Sequence, residues 1–204
     1  MAEEQTRKNS LHLINASEKG DIETVKSLLE KGVYIHTQDE EGRCALVAAA
    51  YGNRLEIADL LIAVGADVNM KDNTLQSAYL ISTSEGYIEL LTKTLKVGAD
   101  VHSTDSYNGT GLIRAADRGH VEIIKELLKT DIRVNHINKL GWTALLEAII
   151  LGDGGKRHTE VVQMLVEAGA DVNLPDKGGV TPLGHAKNKN FADIIKILEN
   201  SGAK

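Results

Sequence analysis

The chain has 204 residues with 23 Lys and Arg against 29 Asp and Glu, a formal charge of −6, and only 3% aromatic residues. A single cysteine excludes an internal disulfide and favours a reducing compartment, and the acidic balance with scattered basic residues argues against nucleic acid. No apolar run approaches the roughly 18 residues a membrane span needs, and the charged start, Met1 to Lys8, lacks the apolar centre of a secretion signal; the cytoplasm is the expected location.

Residues 1–8 are read as an N-terminal extension. Beyond them the chain repeats itself. Gly65-Ala66-Asp67-Val68-Asn69 recurs 33 residues later as Gly98-Ala99-Asp100-Val101-His102 and again as Gly169-Ala170-Asp171-Val172-Asn173. Weaker copies start at Gly32 and Asp131, also in the 33-residue register, and the last step is longer by five. A fixed period of this size indicates stacked small units. Residues 105–137 show what one contains. Asp105 to Gly109 is a turn-forming run, because Asp and Asn bond their own backbone and Gly accepts positive φ. Leu112, Ile113, Ala115 and Ala116 share one face of a short helix. Gly119 suits the left-handed position that ends it. Val121, Ile123, Ile124, Leu127 and Leu128 then give a second amphipathic helix. Two such helices cannot bury their apolar faces alone, but neighbouring units can cover them. Ala-rich first helices (Ala48-Ala49-Ala50) fit close helix packing.

These residues resemble the ankyrin repeat. Gly178-Gly179-Val180-Thr181-Pro182-Leu183, Gly119-His120-Val121-Glu122-Ile123-Ile124 and the Gly-Ala-Asp-Val-Asn copies carry the likeness. The resemblance implies an all-α fold: an ankyrin-repeat solenoid of stacked helix-turn-helix units with β-hairpin loops. One repeat domain would cover 9–204, with repeats at about 9–38, 39–71, 72–104, 105–137, 138–175 and 176–204. The fifth repeat, around Gly141-Trp142-Thr143-Ala144-Leu145-Leu146-Glu147-Ala148, is similar to those of compact bacterial ankyrin proteins.

Departures fall mainly in repeats three to five. Leu75 stands where a hairpin Gly is expected. Lys93 and Thr94 occupy positions read as apolar, which predicts weak packing there. Gly111 and Asp131 replace the usual Pro and Gly, and Asp153-Gly154-Gly155-Lys156-Arg157 is read as a flexible, solvated insertion.

Little in the chain points to chemistry. His36 and His102 replace the Asn that ends the Gly-Ala-Asp-Val-Asn segment two repeats apart; at about 10 Å per packed helix pair they cannot share an ion. His120 and His158 are expected to bond neighbouring backbone, and His12, His136 and His185 lack ligand-like spacing. The Asp153–Lys156 run lacks the spacing of a phosphate loop. Cys44 takes a small-residue position expected to be buried. No metal, cofactor or catalytic set is expected, and the chain is read as a non-enzyme.

The family's scaffold leaves hairpin tips and first helices to line a concave binding surface. Across repeats, the third hairpin position reads Glu41, Thr74, Tyr107, Leu140, Gly178, and the fifth reads Arg43, Gln76, Gly109, Trp142, Val180. Tyr107, Leu140 and Trp142 are apolar tips that either meet a partner or, for Trp142, fold back on the hairpin. Tyr and Trp are enriched among interface hot spots. On the first helices Arg114 and Glu147 occupy equivalent places in adjacent repeats and are expected to pair, with Arg118 and Leu151 further along. Tyr107, Leu140, Trp142, Arg114, Arg118, Glu147 and Leu151 are thus the candidate partner-binding residues of a monomeric protein-protein interaction module. The alternative is a homo-oligomeric or structural protein whose aromatic patch meets another copy.

Overall fold

The computed structural model describes residues 2–204, with side chains from residue 4 onward. Among the described residues the chain forms twelve helices and no strand. It divides into two compact units: one holds the residues up to Ser82 and Tyr87–Asp100, the other Thr83–Gly86 and Val101–Lys204.

The first unit opens with α1 (Ala2–Lys19), so residues 2–8 continue a helix, exposed from Glu4 to Lys8. Helix α2 (Ile22–Glu30) follows, its free N-terminal amides capped by Asp21, which accepts from Thr24 N–H at 3.1 Å. Next come α3 (Ala45–Tyr51), α4 (Leu55–Ala63), α5 (Ala78–Glu85) as far as Ser82, and α6 (Ile88–Lys96). Ala45 through Ala50 are all buried, which only a run of small and aliphatic side chains permits in a helix packed on several sides. Leu13, Val25, Leu61 and Leu91 fill the centre.

The second unit contains α7 (Gly111–Arg118), α8 (Val121–Leu127), α9 (Ala144–Ile150), α10 (Lys156–Glu167), α11 (Pro182–Asn188) and α12 (Ala192–Asn200). Leu112, Ile124, Leu146, Val162 and Leu198 form its core. Thr143 and Thr181 cap α9 and α11 through their hydroxyls. Gly119 takes the left-handed conformation that ends α7, at φ +65°.

The hairpin loops hold their shape by hydrogen bonds rather than by strands. In each, the first residue's N–H donates to the carbonyl four residues on: Asp39 to Arg43, Asp72 to Gln76, Asp105 to Gly109, Asn138 to Trp142 and Asp176 to Val180. The same residue's side-chain oxygen turns back onto the loop. Asp105 Oδ1 accepts from the N–H groups of Tyr107 and Gly109, and Asn138 Oδ1 from those of Leu140 and Trp142. A short acceptor at this place is therefore the element that closes the tip. The fourth tip position needs positive φ and is filled by Gly42, Leu75, Asn108, Gly141 and Gly179.

Two expectations for the irregular repeats change. Lys93 does not intrude on the core; its ammonium reaches out to Asp59 of α4 at 2.7 Å. Thr94 is fully buried but satisfied, its hydroxyl donating to Leu91 O at 2.9 Å. The extra residues around 152–157 are not a free loop. Residues 156–158 form an added turn at the start of α10, Asp153 accepts from Gly155 N–H, and its Oδ1 lies 2.9 Å from His158 Nδ1. Lys189 donates to the carbonyls of Ile150 and Gly152, fastening the segment to the next helix pair.

Candidate functional site

A cleft of about 160 Å³ opens in the second unit between two hairpin tips and the first helices that follow them. Its lining includes Asp105, Tyr107, Ile113, Arg114, Asn138, Leu140, Glu147 and Leu151. Five of the seven sequence candidates thus come together: Tyr107, Leu140, Arg114, Glu147 and Leu151. Tyr107, Leu140 and Leu151 are 57%, 47% and 51% exposed and make an apolar rim. The other two lie outside the lining. Trp142 is half-buried, and its backbone N–H and carbonyl are both used by Asn138. Arg118 is exposed and lies 3.7 Å from Asp117.

The expected Arg114–Glu147 pair does not form. Arg114 Nε sits 2.6 Å from Asp105 Oδ2 instead, the Asp105 side chain being almost completely buried. Glu147, only 6% exposed, accepts from Asn138 Nδ2 at 2.6 Å. The physical reason is reach along one repeat. A residue on the first helix lies over the hairpin residue nine positions earlier, not over its counterpart in the next repeat. His185 and Asp176 repeat the relation, with Nε2 2.8 Å from Oδ2. The partners are complementary in each case: Asp with Arg, Asn with Glu, Asp with His.

Sequence reasoning overlooked Asp105 and Asn138 as floor residues, although this nine-residue complementarity was available. Asn138 is the informative one. Asp stands at the equivalent place in the other four hairpins. The amide keeps the loop-closing oxygen and adds a donor that faces the glutamate; a second carboxylate there would repel it.

Burial pushes the Glu147 carboxyl up to about 7, and the charge of Asp117 adds to the effect, against the opposing influence of the Asn138 hydrogen bond and Arg114. Asp176 is held below the usual carboxylate range by the Val180 N–H and then by His185. Asp72 also lies below it: burial opposes ionisation, but hydrogen bonds from Tyr51, Gln76 and Thr74 outweigh it. Burial pushes the Cys44 thiol up, the opposite of what a reactive thiol requires.

His36, His120 and His158 serve the scaffold. His120 Nε2 lies 3.1 Å from Ser84 O and His158 Nε2 3.0 Å from Asp117 O. His36 Nε2 accepts from Asp67 N–H, the service that Asn69 Oδ1 performs for Asp100 N–H. No group of three or more His, Cys, Asp or Glu capable of holding a metal occurs among the described residues. No helix among them is long and apolar enough to cross a membrane.

A chain of helix pairs closed by hydrogen-bonded tips, with a polar and apolar cleft on tips and first helices, is a helical repeat protein. Its sequence matches the family model described as Ankyrin repeats (3 copies) over residues 2–72 and 78–176, and the chain belongs to the ankyrin repeat family. The crystal structure of an ankyrin repeat domain from Acinetobacter baumannii AYE is 47% identical with a TM-score of 0.91, covering 94% of this chain and 98% of that one. The ankyrin repeat protein EF0377 is 34% identical with a TM-score of 0.87, covering 94% and 97%. The ankyrin repeat protein YahD of Escherichia coli (strain K12) is 48% identical over 59 residues, and one from Rickettsia felis is 38% identical over 60. Those two matches span 29% and 16% of the relatives' lengths. Ankyrin repeats are generally protein-protein interaction modules without enzymatic activity.

Proposed function

We propose that the protein is a non-catalytic binding module whose partner is another protein, engaged through the hairpin tips and first helices of the second unit. One observation carries this reading: an apolar rim of Tyr107, Leu140 and Leu151 around a cleft floored by Asn138 and Glu147. Ligand sites for small molecules run to about 300–1,000 Å³, so a cleft of about 160 Å³ suits an inserted side chain rather than a whole metabolite. Exposed aromatic and aliphatic residues around a pocket are the usual anatomy of an interface centre.

A photoreactive amino acid placed at Tyr107 or Leu140 tests the reading, with the exposed Lys129, in the turn after α8, as control. The expected outcome is one protein crosslinked from both tips in cells and absent from the control. Identical crosslinks from all three positions would overturn it. A crosslink between two copies of this chain would instead make the rim a self-association surface.

A further inference from the structure

The floor of the cleft has an unbalanced charge. Asp105 has its cation: Arg114 is drawn onto it at 2.6 Å. Glu147 has none. Asn138, a neutral donor, supplies a hydrogen bond to Oε1. Asp117, on the helix bearing Arg114, adds a second negative charge close enough to act on Glu147. Its partner Arg118 lies at 3.7 Å, is more than half exposed and is outside the cleft lining. A carboxylate buried this deeply without a direct ion pair is costly to the fold, and a scaffold position has no need of it: Ala48 and Ile81 hold the same place in earlier repeats. Above the floor, Tyr107, Leu140 and Leu151 offer apolar walls to the stem of a long side chain.

We propose that this cleft takes up a lysine or arginine side chain of the partner protein, whose cationic head pairs with Glu147 while its methylene stem and an apolar neighbour lie against Tyr107, Leu140 and Leu151. This rests on the docking face proposed above and specifies the chemistry it selects. A long cationic side chain satisfies both halves of the site, because its stem is apolar and its head charged. A purely apolar side chain would leave Glu147 unpaired and dry. An acidic one would meet Glu147, with the charge of Asp117 adding to the repulsion.

A random twelve-residue peptide library displayed against the whole chain supplies the probe. Selected peptides are then titrated against wild type, Glu147→Gln and Tyr107→Ala with Leu140→Ala. Glu147→Gln keeps the size of the side chain and its acceptor for Asn138, so circular dichroism and melting confirm that it is folded. Enrichment of Lys or Arg beside an apolar residue, with affinity at least tenfold weaker in Glu147→Gln and in the double variant, is the expected result. Peptides that lose binding in the double variant but share no cation, or bind Glu147→Gln as tightly as wild type, would overturn the cation assignment and leave the docking face standing. Peptides indifferent to the double variant, or no selected binders at all, would remove both.

Discussion

Glu147 stabilises the fold least in the form that the proposed recognition uses. Its carboxyl titrates near 7 in the folded chain against an ordinary 4.5, chiefly because it is buried. Between those two values the folded state holds a proton that the unfolded state has released, so stability falls as pH rises through this window and stays reduced above it. The difference corresponds to roughly 3 kcal/mol. Glu147→Gln removes the titration and retains an acceptor for Asn138 Nδ2. The variant is therefore expected to be more stable than wild type at pH 8, by up to roughly that amount, and equal to it near pH 4. Urea titrations of both proteins at the two pH values measure this. A variant less stable at pH 8 would mean that the ionised carboxylate is stabilised by groups other than those described.

At the scale of the element, the hairpin tip shows both what the sequence specifies and where it strains. Leu75 occupies the left-handed position at φ +62°, where Gly42, Gly141 and Gly179 stand in other repeats. A side chain there costs about 1–2 kcal/mol through the clash of Cβ with the carbonyl, partly offset because Gly loses about 0.5–1 kcal/mol of chain entropy on folding. Leu75 is 45% exposed, so removing it sacrifices little packing. Leu75→Gly is expected to raise the melting temperature by about 2 °C, following the usual scaling for a chain of this size; a fall would assign Leu75 a packing role. The tips were legible because their closing acceptor and glycine recur in a fixed register. The floor of the cleft was not, for a geometric reason. Comparing Arg114 with Glu147 ran across repeats, whereas the contacts run within each one, from Asp105 to Arg114 and from Asn138 to Glu147. The residues around 152–157 misled in a similar way. Two glycines and three charges describe a solvated loop, but Asp153, His158 and Lys189 pin the segment and add a turn to α10. Composition carries no information on such distant hydrogen bonds.

For the molecule as a whole, the 33-residue period has a thermodynamic consequence. In repeat proteins each unit touches only its neighbours, so stability is close to a sum of unit and nearest-neighbour contributions rather than the property of one shared core. A single lesion then acts locally. Leu61 of α4 is fully buried, and α4 packs against α2, α3 and α6. Leu61→Ala removes buried methyl groups and leaves a cavity, which costs about 2–5 kcal/mol in such settings. Native-state hydrogen exchange is expected to show the loss in α2, α3, α4 and α6 as protection lowered by one to three orders of magnitude. Amides of α10 and α12, in the other compact unit, should change less than threefold. Equal loss of protection along the whole chain would show instead that all the repeats open together, and would contradict the additive behaviour that the period implies. The localised outcome also bears on binding: the cleft of the second unit would keep its peptide affinity in Leu61→Ala, so the scaffold and the recognition site could be altered independently.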